Sequence, residues 1–460
     1  MSSKSRHQID MLNGPIWNKL PRFAFPVAAT AILEQLFNAS DIAVVGNFTG
    51  AGKTVAVAAV GANSSVIALI VNLFVGIALG ANVVIANAIG RDDREYVRKA
   101  VHTSVAVALL GGLFVAIVGE IVAGPLLRSL NVPDDVFPHA LTYLRIYLIG
   151  MPVILLYNFE AAIFRSVGDT KTPLIVLAAS GVLNVVLNLF FVAVLDMTVN
   201  GVAIATVISN LASSVLLMWR LIRSKQYIHL DLRAVKIDKK ALGQIVKIGL
   251  PAGIQGGVFA VSNIVIQAAV NSLGTVVIAA SSAAYNIEIF AYYVLNSFSQ
   301  ACTTFVGQNY GAGQIRRCRK TLFLCLIEDL IASAVAIGLI LFAGKNLLAV
   351  FNNDPEVVSI GYMRLVMIFS AYIFSMLYEV MSGYLRGFGI SLTPAILTTV
   401  GVCGIRIAWI NIVFPRSSTF KTIMTAYPIS LAATALLIFI ALICFHPSAR
   451  QLKKRRNAAK

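Results

Sequence analysis

The sequence predicts an all-α polytopic membrane protein: twelve transmembrane helices arranged as two six-helix bundles related by a pseudo-two-fold axis along the membrane normal. Three observations predict it. The 460 residues are 58% hydrophobic and 12% charged, with a mean hydropathy of +0.82, and a soluble chain of this length carries about twice that charge. Apolar stretches of about 20 residues, the length of a bilayer-crossing helix, recur along the whole chain. Two separate motifs of the first half also return in the second half at one constant spacing.

The first window, 20–47, follows a polar, basic N-terminus, MSSKSRHQIDMLNGPIWNKLPRF. That start lacks a short apolar core followed by a cleavage site, so the first helix is expected to be a mature span. Windows 55–88 and 98–125 flank the basic segment RDDREYVRK at 91–99, and 139–163 follows the uncharged-to-acidic loop NVPDD at 131–135. Arg165 and Lys171 precede window 172–195, and LDMTVNG at 195–201 precedes window 200–219. After the longest connection come 246–272, 276–306, 321–343 behind RRCRK at 316–320, 358–384 behind NNDPE at 352–356, 393–414 behind Arg386, and 422–445. Several windows are long enough to tilt or to project beyond the bilayer.

Lys and Arg alternate between the connections, with one exception in the last outer loop, Arg416 and Lys421. This positive-inside pattern places both termini in the cytoplasm of a cell (inner) membrane, in agreement with an even span count. It also accounts for the net charge of +17 without nucleic acid, because the basic residues sit in short inter-helix segments and in the tail KKRR at 453–456. The five cysteines lie in or beside apolar helices with no CxxC, and read as small core residues. The expected organisation is an N-terminal six-helix lobe at 1–222, a cytoplasmic linker at 223–244, a C-terminal six-helix lobe at 245–446 and a basic tail at 447–460.

FRSVGDTKTP at 164–173 returns as LRGFGISLTP at 385–394, which aligns Arg165 with Arg386, Gly168 with Gly389 and Pro173 with Pro394. The same offset of 221 aligns Gly90 with Gly311, Arg98 with Arg319 and Tyr157 with Tyr378. Nearer the start of each half, Pro26 and Asn38 align with Pro251 and Asn263 at an offset of 225. An even number of spans per repeat gives both halves one orientation, and paired bundles of this kind suit alternating access.

The first span carries the most telling polar residues. Glu34, Asn38 and Asp41 fall at i, i+4 and i+7 and form one stripe on one helix face. An ionisable group in hydrocarbon costs several kcal/mol and is kept where it lines a cavity or ion path, or where a protonated carboxyl ties helices together. On the fifth span Ser180, Asn184 and Asn188 repeat every four residues, as do Thr206 and Asn210 on the sixth. Hydroxyl and amide oxygens beside a carboxylate suit sodium, a lone carboxylate suits a proton, and interhelical hydrogen bonding explains small polar residues equally well. In the second half, the seventh span offers Gln255, Ser262, Asn263 and Gln267 but no carboxylate. Glu288, Glu328, Asp329, Glu379 and Arg406 are the remaining intramembrane charges; Glu379 and Arg406 are placed to neutralise each other, and Glu328 and Asp329 to reach back to the basic start of their span. Substrate or coupling candidates are therefore Glu34, Asn38, Gln255, Glu288 and Glu379.

Other chemistries find little support. GAGKT at 50–54 ends like a phosphate loop, but the opening glycine would have to be residue 47, which is Asn47. The five histidines are scattered, without HExxH or a metal-binding cluster. No serine has an obvious base beside it, so a membrane-embedded enzyme stands only as a rival class.

Pro26 with FNASDIAVVG at 37–46, FRSVGDTKTP, GVAIATVIS at 201–209, GQNYGAG at 307–313 and LRGFGISLTP together resemble the multidrug and toxic compound extrusion (MATE) transporters. The resemblance covers nearly the whole chain. It implies a cofactor-free secondary antiporter that exports amphipathic, cationic organic compounds in exchange for H+ or Na+, acting as a monomer in the lipid bilayer. The motifs look more like the branch of the DNA-damage-inducible F proteins than the NorM-type branch. In that branch the cation cluster is similar to Asp41, Asn184, a second acid four residues later, and Thr206. This sequence departs at the second acid, where it has Asn188, and the coupling ion is left open between H+ and Na+. A flippase for lipid-linked precursors is the nearest rival; it needs a basic cavity, and Arg406 is the one internal cation read from the sequence.

Overall fold

The computed structural model describes residues 7–49, 53–130 and 132–445. Among them the chain is helical and connected by short turns. The fifteen α-helices are α1 (Leu20–Phe48), α2 (Lys53–Gly90), α3 (Arg94–Ser129), α4 (Phe137–Ile149), α5 (Met151–Ser166), α6 (Lys171–Leu189), α7 (Val199–Ile222), α8 (Lys239–Asn271), α9 (Thr275–Gly311), α10 (Ile315–Phe351), α11 (Pro355–Phe369), α12 (Tyr372–Gly387), α13 (Leu392–Thr398), α14 (Ile405–Ile412) and α15 (Phe420–Phe445). Among the described residues nine helical segments are long and apolar enough to cross a bilayer, and the bent pairs α4–α5 (50°) and α11–α12 (46°) each add one. The 29-residue α1, which carries Arg22, Glu34 and Asp41, is the twelfth. Gly50 to Gly52 of the GAGKT segment, Asn131 of NVPDD and the basic tail lie outside the described residues.

Helices project past the predicted windows at both ends, because backbone hydrogen bonding continues into the polar layer. α3 shows how such an end is finished: Asp93 caps it by accepting from the Tyr96 amide at 3.0 Å, and Arg128 occupies the last turn, where a cation favours the negative end of the helix dipole. Apolar side chains such as Ile121 and Phe342 are 73% and 93% exposed. Large apolar surface of this kind is stable in lipid, where only structures that satisfy their own backbone groups can span.

The internal repeat is visible in the backbone. Gly168 and Gly389 both take positive φ, +86° and +81°. In each case the glycine amide donates to the carbonyl three residues earlier, Arg165 or Arg386, and the next amide returns to Phe164 or Leu385. A side chain would be strained there, which is why the motif keeps glycine. The turn after α2 and the turn after α9 match in the same way: Asp92 (+57°) corresponds to Gly313 (+73°), and the next amide bonds Ala88 O or Asn309 O.

Two compact units result. One comprises Met1–Ile9, Ala29–Ile89 and Asp93–Gly249; the other comprises Asp10–Ala28, Gly90–Asp92 and Leu250–Lys460. Within the first, Val83, Val84, Val97, Val101, Phe159 and Ile163 form one buried cluster, and Val45, Leu127, Leu144, Leu155 and Ala203 another. The 223–238 segment of the linker packs on this unit through Ile228 and Leu230, which are 1% and 0% exposed. In the second unit, the segment before α1 is tied down by Arg317, whose guanidinium donates to Gly14 O and Met11 O, and by Phe23 set edge-on to Phe305.

Candidate functional site

Asp41 lies on α1, four residues after Phe37 and seven after Glu34. Phe37 packs so tightly on α6 that a Cβ at Gly181 would fall 1.7 Å from its ring. Glycine there allows the close approach that brings Asp41 to Asn184 and Asn188, one and two turns further along α6.

The carboxylate is 6% exposed. Asn188 Nδ2 donates to its Oδ1 at 2.5 Å, and Thr206 Oγ1 on α7 donates to its Oδ2 at 3.0 Å. Asn184 is a third hydrogen-bonding side chain at the carboxyl, and its Oδ1 accepts from Asn188 Nδ2 at 3.2 Å. Thr206 Oγ1 also lies 3.0 Å from Val202 O; its single proton serves one acceptor at a time. Asn188 Oδ1 is buried without a hydrogen-bond partner, a state that costs about 1–3 kcal/mol. No Lys, Arg or His pairs with Asp41 among the described residues. The four residues named as a cation-coupling set thus meet in three dimensions around one carboxylate and neutral groups. Ser180, a turn earlier on α6, hydrogen-bonds instead to Ser213.

The rest of the stripe differs from Asp41 in burial. Asn38 and Glu34 are exposed. Glu34 nevertheless lies in the electrostatic neighbourhood of Arg165, Tyr147 and Tyr157, inside its own unit. Tyr147 lies within electrostatic range of both Glu34 and Asp41 and stacks on Tyr143 at 6.2 Å. Neither tyrosine is recognisable from linear spacing, because both lie on α4, about a hundred residues from their acids. Glu160 on α5 also escaped the sequence reading: it is 0% exposed, and Ser214 donates to it at 3.0 Å. Its signal was present, an acid inside the fourth apolar window. A π-helical turn, Phe190–Val194, begins two residues after Asn188, an irregularity that recurs at functional positions of helices.

In the other unit the candidates are engaged in different contacts. Arg364 Nη2 lies 3.0 Å from Glu288 Oε2 in an ion pair whose side chains are 6% and 12% exposed, and its Nη1 donates to Ser281. Gln255 accepts from Arg386 at 2.9 Å. Three expectations need correction. Arg406 is not the one internal cation, since Arg364 and Arg386 are buried too; Arg364 lies inside an apolar window whose average hides one charge, and Arg386 reads in the sequence as part of a basic connection between spans. Arg406 does not neutralise Glu379: it donates to Ser430 at 3.0 Å and stacks 4.1 Å over Tyr427, while the cation acting on Glu379 is Arg386. Asp329 does not reach back to the basic end of α10, because it is 0% exposed and accepts from Ser333, a turn further in. Among the described residues no group of three His, Cys, Asp or Glu is placed to hold a metal ion.

Twelve spanning helices in two repeats, with an acid kept unpaired by any cation inside one of them, define a multi-pass membrane protein of the transporter class. The chain belongs to the MatE family, whose family model matches it twice, over residues 26–190 and 251–411. The two matches begin 225 residues apart and end 221 apart, the same two offsets that the motifs show. A relative from Bacillus subtilis named "Probable multidrug resistance protein YoeA" is 26% identical over 435 residues, covering 92% of this chain and 93% of that protein. The "Probable multidrug resistance protein NorM" of Thermotoga maritima is 26% identical and covers 84% and 83%. A solved structure described as the outward-facing conformation of a multidrug resistance MATE family transporter superposes with a TM-score of 0.89 at 19% identity, over 98% of this chain and all of that one.

Carried through the repeat, the site proves one-sided. Asp41 corresponds to Ile266, Asn184 to Ile405, Asn188 to Trp409 and Thr206 to Tyr427. Every polar member of the cluster is replaced by an apolar or aromatic residue in the second repeat.

Proposed function

We propose that this transporter is a secondary antiporter that exports amphipathic organic cations in exchange for H+ or Na+, with Asp41 as the coupling group. The observation that carries the reading is an intramembrane carboxylate held by α6 and α7 through neutral donors alone. A charge in that position needs a proton or a metal cation to be neutralised, and binding either changes how α1 is held against α6 and α7. With the cation absent, the Asn188 and Thr206 donors satisfy the carboxylate. With it bound, the unpartnered Asn188 Oδ1 is an oxygen available to the proton or ion after rotation of the amide. Such a change drives transport only if substrate and ion favour different states, so the two must compete directly or through conformation. The exposed Glu34 supplies a second negative charge in the same unit and favours cationic substrates.

The flippase reading requires a basic cavity. Its support grew with Arg364 and Arg386, but Glu288 neutralises the first and Gln255 binds the second. The deciding experiment is export from proteoliposomes carrying the wild type or Asp41→Asn, with sodium and proton gradients imposed separately. Loss of gradient-driven export in the variant supports the assignment; undiminished coupled export refutes it. A product chemically altered after uptake would replace the transporter reading with an enzymatic one.

A further inference from the structure

Outside the helix interior, the first unit carries a cavity of about 380 Å³ lined by Arg94, Arg98, Lys225, Gln226, Tyr227, His229 and Asp231. It lies where the first turn of α3 meets the chain leaving α7. The segment forming its wall is held in place: Ile228 and Leu230 are buried in the core, Leu230 N bonds Leu221 O, and the buried His102 ring touches the Asp231 backbone at 3.1 Å. Arg94 stacks 5.0 Å over the Tyr227 ring. The wall is therefore a fixed surface, and the charges on it have fixed places.

Three permanent cations line this cavity against one acid. Asp231 is already engaged by Arg98 at 3.7 Å and by the Arg233 amide. Among the described residues the Arg94 guanidinium and the Lys225 ammonium have no carboxylate partner. His229 Nδ1 contacts Ser224 O, which leaves Nε2 for another group. Immediately before the cavity, the exposed Trp219 sits at the end of α7 with Arg223 4.6 Å over its ring, the signature of the bilayer–water boundary.

We infer that this cavity binds a phosphoryl group. A surplus of cations, a planar guanidinium suited to paired oxygens and a pocket of ligand size are the chemistry such an anion requires. Basic pockets at this depth meet phospholipid headgroups, and free phosphate esters carry the same group. A bound phosphoryl joins α3 to the linker that leads into the second repeat. The site is independent of Asp41 and of the coupling ion.

The test measures thermal unfolding of the full-length protein in neutral detergent with added inorganic phosphate, and in nanodiscs of phosphatidylcholine with or without phosphatidic acid. Arg94 and Lys225 are exposed, so Arg94→Gln/Lys225→Gln leaves the fold intact; Arg220→Gln, outside the cavity, is the control. The expected result is stabilisation of the wild type and the control, with about 25-fold more ligand needed by the double variant, since each of the two basic residues adds roughly a factor of five in affinity for an anionic surface. Response to phosphate in detergent identifies a soluble phosphate as sufficient; response to phosphatidic acid alone identifies the lipid headgroup. No stabilisation by either, or an equal response in the double variant, overturns the inference.

Discussion

Asn188→Asp places a second carboxylate against Asp41. The present contact between Asn188 Nδ2 and Asp41 Oδ1 is 2.5 Å, and the helices hold both residues in place through Gly181 and Phe37. Two negative charges about 4 Å apart repel by about 4 kcal/mol at an effective dielectric of 20. The variant also loses the amide's hydrogen bond to a charged acceptor, worth about 1.5–3 kcal/mol. Without a bound cation the variant therefore unfolds at a temperature lower by about 5 °C or more. A monovalent cation seated between the carboxylates removes most of that repulsion, so sodium binds at least about tenfold more tightly than to wild type. The assay is thermal unfolding in detergent at alkaline pH, with sodium titrated against choline. Sodium restores the midpoint in Asn188→Asp and moves wild type little. Identical midpoints for the variant in sodium and choline would refute the electrostatic argument, and with it the placement of an ion at this cluster.

Three further outcomes follow from the same structure. Gly181→Ala forces a methyl into the Phe37 ring and costs about 1–3 kcal/mol in thermal unfolding; combination with Phe37→Ala recovers part of the loss, and additive losses would show that the two do not meet. Arg364→Gln leaves Glu288 charged and buried and destabilises by about 3–5 kcal/mol, while Arg364→Leu with Glu288→Gln recovers most of it; a silent single variant would mean that the pair is hydrated. Glu34→Gln raises the KM for a cationic substrate and leaves that for a neutral one unchanged, as measured in proteoliposomes; equal KM values for both substrates in the variant and wild type would make Glu34 structural.

The sites differ in how far they were legible. Asp41 announced itself, since a carboxylate inside an apolar span is conspicuous, and Asn184, Asn188 and Thr206 followed from helical spacing and the family resemblance. The Arg364–Glu288 pair was half visible, because Glu288 was named and its partner 76 positions away was not. Tyr143, Tyr147 and Gly181 carried no local signal of their role: a tyrosine or glycine in a membrane helix is ordinary until a neighbour is known. The error over Arg406 and Glu379 came from pairing charges by depth alone, without the rotation of each helix about its axis.

By itself the sequence determined the helical, membrane-spanning character, the order and approximate limits of the spans, the duplication and the family. Hydropathy, chain-local hydrogen bonding and turn chemistry act over one turn or one span, and all of these are written in consecutive residues. Tertiary structure alone decided which polar side chains meet. Contact depends on how each helix is rotated and how closely small residues let helices approach, and that is settled by packing among residues distant in the chain. The Asp41 cluster, the buried Arg364–Glu288 pair and the basic cavity beside Tyr227 are products of that packing.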